Sequence, residues 1–129
     1  TGYVPISGDF DGDGRDDVFW HGPGSIADSA WYGSTNRTFA GRGYRVSLGG
    51  YRPVAGDFNR DGRDDIFWYL PGSGVDTIWV AYGNRTFRGD RFTVNGGYRP
   101  QAGQFDGNGV ADVFWYAPGA APDYLWKGL

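Results

Sequence analysis

The chain alternates between short apolar segments and turns that are rich in Gly, Asp and Pro. Its most apolar segments carry no polar residue on either face of the predicted strand. They are Val18-Phe19-Trp20, Ile66-Phe67-Trp68 and Val113-Phe114-Trp115. An open strand with one wet face would alternate between apolar and polar residues, so these segments predict strands that are buried on both sides.

These segments belong to an internal repeat that covers the chain. The tyrosines near the start of its copies, Tyr3, Tyr51 and Tyr98, are 48 and then 47 residues apart. Every copy continues with an Asp-rich loop, the apolar segment, a Pro-Gly turn and an Asp-x-x-Trp step. A repeat of this length is typical of architectures in which similar units pack side by side.

Each copy predicts four short strands. The first is the Tyr-x-Pro-x-x-Gly segment, and the second is the apolar segment. The third is centred on Trp31, Trp79 or Trp126, and the fourth covers about 38–48 in copy one and 86–94 in copy two. Four strands in about 40–50 residues are the size of a β-propeller blade.

The predicted fold is therefore all-β, with about 2.75 propeller blades of four antiparallel strands. We expect one repeat domain over 1–129, with blade one at about 1–49, blade two at about 50–96 and a partial blade three at about 97–129. The third copy stops after its third strand. The tripeptide Arg88-Gly89-Asp90 lies in the fourth-strand region of copy two and is interpreted as a hairpin turn.

Composition supports β-structure and argues against several functions. There are 24 Gly, aromatic residues make up 19% of the chain, and all 15 acidic residues are Asp, which is typical of turns and metal loops. A formal net charge of −3 provides no basic surface for nucleic acid. Because Cys is absent, thiolate metal sites are excluded, and no apolar run is long enough for membrane insertion.

The Asp-rich loop of copy one has the spacing of a calcium site. Its carboxylates stand at positions one, three, five and nine, and a Gly at position six permits a sharp turn. The backbone carbonyl at position seven is a further candidate ligand, and hard oxygen ligands in this number suit calcium. The predicted ligands are Asp9, Asp11, Asp13, the carbonyl of Arg15, and Asp17.

The other two copies keep this spacing with fewer charges. Copy two offers Asp57, Asn59, Asp61, the carbonyl of Arg63, and Asp65. Copy three offers Gln104, Asp106, Asn108, the carbonyl of Val110, and Asp112. The formal site charge falls from −4 to −3 to −2, so we expect graded affinity. The alternative is a set of Asx turns that close hairpins without metal. An EF-hand is excluded, because its twelfth position needs an acid and is Trp20 here.

The Asp-x-Asp-x-Asp-Gly-x-x-Asp pattern between two strands resembles the FG-GAP repeat family, which is integrin α-subunit-like and also called VCBS. The resemblance covers essentially the whole chain. It implies a β-propeller fold, calcium in the loops between strands one and two, and a binding or adhesion role. Some propellers that look like this family are lectins.

Ligand candidates lie at the opposite end of each blade from the metal loops. Successive strands alternate in direction, so the connections between strands two and three, at 21–28, 69–76 and 116–123, share that end. Aromatic faces with nearby Asp suit sugar binding, although core packing explains the tryptophans equally well. The candidates are His21, Asp28, Trp31, Tyr69, Asp76, Trp79, Tyr116, Asp123 and Trp126.

Three functions are weighed. The first is a carbohydrate-binding module, and the second is a structural or protein-interaction propeller whose calcium is purely architectural. A hydrolase is disfavoured, because its carboxylate pairs would repeat identically whereas catalytic sites usually break a repeat; we therefore expect no enzyme. We expect a secreted, extracellular protein with a carbohydrate or protein ligand. Exposed end blades also predict contact with copies of the chain or with the rest of a longer propeller, from which a chain beginning at Thr1 could have been cut.

Overall fold

A computed structural model describes residues 2–46 and 50–128. The strands form three antiparallel sheets, and in each sheet neighbouring strands follow one another along the chain. Blade one contains β1 (Val4–Gly8), β2 (Asp17–His21), β3 (Asp28–Gly33) and β4 (Phe39–Tyr44). Blade two contains β5 (Arg52–Gly56), β6 (Asp65–Tyr69), β7 (Asp76–Tyr82) and β8 (Thr86–Phe92). Blade three contains β9 (Arg99–Gly103), β10 (Asp112–Tyr116) and β11 (Tyr124–Trp126).

These sheets confirm the predicted all-β fold and its blades, with two differences in detail. Strand β4 ends at Tyr44, earlier than predicted, and Leu48 lies outside the described residues. The hairpin-turn interpretation of the Arg-Gly-Asp tripeptide is wrong. Its residues lie inside β8, where Asp90 pairs with Ile78 and Arg88 pairs with Val80.

Within the described residues, helix is limited to a single 3-10 turn, Gly83–Arg85, between β7 and β8. Accordingly, no described helix is long and apolar enough to cross a membrane.

The blades pack face to face through the apolar second strands. We call the side of a blade that faces the preceding blade its front, and the other side its back. Phe19 on the back of blade one lies 5.5 Å from Trp68 on the front of blade two, between ring centroids. Phe67 on the back of blade two lies 5.4 Å from Trp115 in the same way. Strand β6 is consequently buried on both faces, as the sequence predicts for a blade between neighbours.

Main-chain hydrogen bonds join the blades beside the Asp-rich loops. The Asp64 amide donates to the Asp9 carbonyl at 2.7 Å, and the Ala111 amide donates to the Asp57 carbonyl at 2.9 Å. At the first junction the Asp9 amide also donates to the Asp64 carboxylate at 2.8 Å. The same backbone bond therefore fixes the spacing of consecutive blades at both junctions.

We expect Phe19→Ala to destabilise the fold strongly. Phe19 is fully buried, and its ring also lies within 6 Å of Trp79, so truncation leaves a cavity between two blades. The free energy of unfolding should fall by about 3–5 kcal/mol in urea denaturation. Val75→Ala, at an exposed apolar residue, is the control and should change it by less than about 0.5 kcal/mol. Equal effects of the two substitutions would contradict the inter-blade packing.

Candidate metal loops and aromatic pockets

Each Asp-rich loop is anchored by the aspartate that begins the second strand. Asp17 accepts hydrogen bonds from the Phe10 amide and the Gly33 amide, both at 2.9 Å. Asp65 and Asp112 accept the equivalent pairs of amides, from Phe58 with Ala81 and from Phe105 with Gly128. All three aspartates are fully buried. Each therefore ties its loop to the end of the third strand.

The pKa values of these three carboxyls differ because their surroundings differ. Burial raises the pKa of Asp17, and it raises the pKa of Asp65 to about 6. Hydrogen bonds from the Gly128 and Phe105 amides instead lower the pKa of Asp112. In the first two loops, a neighbouring cation would favour the ionised carboxylate.

In loop one (9–17), the first aspartate organises the backbone. One oxygen of Asp9 accepts from the Gly12 and Asp13 amides at 2.8 and 3.1 Å, and the other accepts from the Gly14 amide at 2.8 Å. These bonds draw the chain around the Asp9 carboxylate. The turn requires a left-handed backbone at Gly14, where φ is 87°.

Three of the predicted calcium ligands come together in loop one. Asp9, Asp11 and Asp17 each offer a carboxylate oxygen, and these oxygens lie within 4.8 Å of one another. Asp13 pairs instead with Arg15, whose guanidinium lies 2.8 Å from a carboxylate oxygen. Three converging carboxylates repel one another, and a divalent cation bound by oxygen ligands relieves that repulsion. The donor set of loop one therefore fits calcium.

Arg85 of blade two also reaches loop one. Its Nε donates to the Asp11 carboxylate at 3.0 Å, and its guanidinium lies over the Tyr32 ring, 4.4 Å from the centroid. The Tyr44 hydroxyl donates to the Arg85 carbonyl at 2.5 Å. Part of the negative charge of loop one is thus balanced by a residue from the next blade.

Loop two (57–65) repeats the backbone pattern of loop one. The Asp57 carboxylate accepts from the Asp61 and Gly62 amides at 3.2 and 2.9 Å. Asn59 accepts from the Asp61 amide at 3.1 Å, and Asp61 accepts from the Arg63 amide at 2.9 Å. The loop is therefore shaped like loop one, with an amide in place of one carboxylate.

Loop three (104–112) closes on itself by a different bond. The Gln104 side-chain oxygen accepts from the Gly107 and Asn108 amides at 2.7 and 3.1 Å, as the Asp9 carboxylate does in loop one. Its Nε2, however, donates to the Val110 carbonyl at 2.8 Å. Lys127 places its ammonium 3.8 Å from the Asp106 carboxylate. The predicted carbonyl ligand thus already accepts one hydrogen bond, and loop three has only two carboxylates, one of them beside Lys127, so it offers a cation a weaker donor set than loop one.

At the opposite end of the blades, Asp28 and Asp76 accept hydrogen bonds from backbone amides. Asp28 accepts from the Gly22 and Val46 amides at 2.8 and 2.5 Å. Asp76 accepts from the Leu70 amide at 2.7 Å and from the Val94 amide at 2.6 Å. Both aspartates are fully buried. They join the connection after strand two to the end of strand four, so a ligand would have to displace these bonds to reach them.

The aromatic residues predicted beside them lie on the backs of their blades. His21 is buried, with Nδ1 2.9 Å from an Asp28 oxygen and its ring 5.0 Å from Trp68. Tyr69 is buried against Trp115, and its hydroxyl donates to the Gly96 carbonyl. Tyr116 occupies the same position on blade three and is exposed.

The predicted tryptophans of strand three instead lie on the fronts, where each blade has an aromatic pocket. The pocket on blade three, about 250 Å³, is lined by Tyr98, Trp115, Tyr124 and Trp126 together with Thr93, Val94 and Asn95 from blade two. The matching pocket on blade two, about 90 Å³, is lined by Arg45, Val46, Tyr51, Trp68, Thr77 and Trp79. On blade one, the equivalent residues line a wider pocket, formed by Tyr3, Trp20, Ser29 and Trp31.

Each of these pockets is lined by a tryptophan whose buried indole N–H lacks a partner. The Nε1 atoms of Trp20, Trp68 and Trp115 are buried, and no acceptor for them occurs among the described residues. A buried donor without an acceptor costs free energy, so its recurrence at equivalent positions calls for an explanation. A ligand or a water that accepts this hydrogen bond would remove the cost.

Comparison with protein families identifies the repeat. A family model described as an FG-GAP-like repeat matches the chain twice, over residues 9–68 and 57–115. The chain belongs to this family of β-propeller-type repeats. No matching curated protein and no matching solved structure were found.

The sequence does not predict the unpartnered indoles or the arginine at loop one. The apolar segments predict inter-blade packing for Trp20, Trp68 and Trp115; Trp68 and Trp115 are buried between blades, whereas Trp20 lies on the half-open front of blade one. The recurrence of Tyr and Trp at fixed repeat positions was the available signal. Arg85 has a repeat equivalent in Arg37, but its contact with Asp11 joins two blades and spans 74 residues, so no local spacing predicts it.

We expect Asp76→Asn to destabilise the protein even without ligand. Asn can accept only one of the two backbone hydrogen bonds, and its NH₂ group would face the other amide. The free energy of unfolding should fall by about 1.5–3 kcal/mol in denaturant titration. The control is Asp90→Asn, at an exposed carboxylate 3.7 Å from Arg88, which should change it by at most about 1 kcal/mol. If Asp76→Asn left stability unchanged, the structural role of Asp76 would be wrong, and Asp76 would again be a candidate ligand-binding residue.

Proposed function

We propose that this chain is a calcium-stabilised, non-catalytic propeller module that binds carbohydrate. The observation that carries the proposal is the aromatic pocket with a buried, unpartnered indole N–H that recurs on the front of every blade. Small-molecule sites are typically concave, lined by aromatic side chains, and supplied with a few polar groups that fix orientation. Saccharide hydroxyls accept hydrogen bonds, and the apolar faces of sugar rings suit aromatic walls.

Of the pockets between blades, the one on blade three offers the better ligand site. It is roomier than the equivalent pocket on blade two, and Thr93 and Asn95 add hydroxyl and amide groups to its aromatic walls. On blade two, Arg45 lines the smaller pocket. We assign saccharide binding first to the blade-three pocket, with Trp115 as hydrogen-bond donor and Tyr98 and Trp126 as aromatic walls.

Calcium has an architectural role in this proposal. Asp9, Asp11 and Asp17 would hold it in loop one, where their oxygens converge. Their repeat equivalents Asp57, Asn59 and Asp65 would hold it in loop two, with the remaining predicted ligands completing each set. The ion supplies positive charge that offsets the crowded carboxylates. The loop residues themselves fix the ends of strands one, two and three, so occupied loops one and two support blades one and two. Blade two contributes Thr93, Val94 and Asn95 to the blade-three pocket.

The proposal includes no enzymatic step, and it places the protein outside the cell. The His21–Asp28 pair is buried between blades, where it supports packing, and Asp28 is already bound to two backbone amides. Calcium-rich extracellular fluid suits exposed loops of this type.

We expect calcium to bind two loops and leave the third empty. Titration calorimetry at about pH 7.5, above the raised pKa of Asp65, keeps the ligands ionised and should show two sites. At a hundredfold excess over the dissociation constant, each site adds about 2.7 kcal/mol to stability, so a chelator should lower the melting temperature.

Two variants test the assignment of the loops. Asp9→Ala should remove one site, whereas Gln104→Asp should create a third, because it replaces the amide that binds the Val110 carbonyl with a carboxylate. Three equal sites in the unmodified chain, or a melting temperature that the chelator leaves unchanged, would contradict the calcium assignment.

We expect a glycan array to detect binding that depends on Trp115. Trp115→Phe keeps an aromatic ring but removes the N–H, so affinity for the saccharide found should fall about tenfold, or about 1.4 kcal/mol. Tyr116→Phe, at the adjacent exposed residue, is the control and should bind normally. Circular dichroism checks that both variants are folded. No binding to any glycan on the array, with calcium present, would favour the protein-interaction alternative.

A further inference from the structure

Two blade faces are exposed although their repeat equivalents are buried. On the back of blade three, Phe105 is 51% exposed, whereas its equivalent Phe10 is 1% exposed. On the front of blade one, Phe39 is 52% exposed, whereas its equivalent Phe87 packs against three aromatic rings of blade one. Large exposed aromatic residues grouped on one surface normally mark an interface.

The repeat makes these two faces complementary. Fronts pack on backs at both internal junctions, and the exposed front and back consist of equivalent residues in strands one to three; blade three lacks the fourth strand, which supplies Tyr44 at the first junction. At the first junction the rings of Phe87 and Phe10 lie 6.1 Å apart between centroids. Phe39 and Phe105 are the equivalents of these two residues, so Phe39 of one copy matches Phe105 of another.

The main-chain link between blades also has an unused equivalent pair. The Asp64 amide donates to the Asp9 carbonyl, and the Asp64 carboxylate accepts from the Asp9 amide. Asp16 is the equivalent of Asp64 on the front of blade one, and it is exposed. Gln104 is the equivalent of Asp9 on the back of blade three. Asp16 therefore carries both groups needed to bind the Gln104 backbone of another copy.

We propose that a second copy of this chain docks head to tail, with the front of its blade one on the back of blade three. The contact repeats the internal junctions, with Phe39 against Phe105 and Asp16 bonded to the Gln104 backbone. It joins two different surfaces, so it continues from copy to copy and gives a ring where the rotation closes or an open filament where it does not. The proposal rests on the exposed faces and is independent of calcium and carbohydrate binding.

The test is the molar mass in solution, measured by sedimentation over a range of concentrations. The unmodified chain should exceed its monomer mass of 14.2 kDa, increasingly so at higher concentration. Phe39→Asp blocks the front and Phe105→Asp blocks the back, so each variant alone should remain monomeric. Each retains one intact face, so an equal mixture of the two should form pairs and nothing larger.

Val75→Asp, which places the same charge at an exposed residue outside both faces, should assemble like the unmodified chain. Circular dichroism of every variant separates failed folding from failed docking. An unmodified chain that stays monomeric at all concentrations would overturn the proposal, as would mixed variants that do not pair. The former result would leave these faces to other partners, such as further blades of a longer polypeptide.

Discussion

Each blade depends on buried carboxylates that accept backbone amides. Asp17 and Asp65 bind amides of the loop and of strand three at one end, while Asp28 and Asp76 bind amides at the other end. A short antiparallel sheet has few ladder hydrogen bonds of its own, and a turn leaves donors that secondary structure does not satisfy. A carboxylate can accept several of them at once, so one side chain fixes two separate segments.

This arrangement also carries an electrostatic constraint. A carboxylate without a nearby positive charge is costly to bury, and the raised pKa of Asp65 reflects that cost. The surroundings of the buried carboxylates differ between the two ends of a blade. Asp28 of blade one has His21 2.9 Å away, whereas Asp17 lies beside two further carboxylates of loop one. One buried carboxylate of the blade therefore has a histidine beside it, whereas the one at the opposite end has two further carboxylates beside it.

The sequence predicted the fold well, because the signals of a repeat reinforce one another. Strand one, strand two and strand three were each marked by three similar segments, and all were placed correctly. The end of β4 was misplaced, and so was the Arg88-Gly89-Asp90 tripeptide, because fourth strands are exposed and carry no strong apolar pattern. Local sequence also could not show that Asp76 accepts backbone amides instead of facing a ligand, since its partners Leu70 and Val94 lie on either side of it in the fold.

The charge of a loop alone does not determine its affinity for a cation. Loop one has the largest formal charge, yet Arg85 from the next blade and its own Arg15 pair with Asp11 and Asp13. Loop three keeps Asp106 and Asp112, yet the Gln104 amide already occupies the Val110 carbonyl. A cation must compete with these internal donors as well as with water. The affinity of a loop for a cation therefore depends on how many oxygen lone pairs remain unpaired. That number depends on neighbouring blades and on the Gln104 amide, so a count of aspartates does not give it.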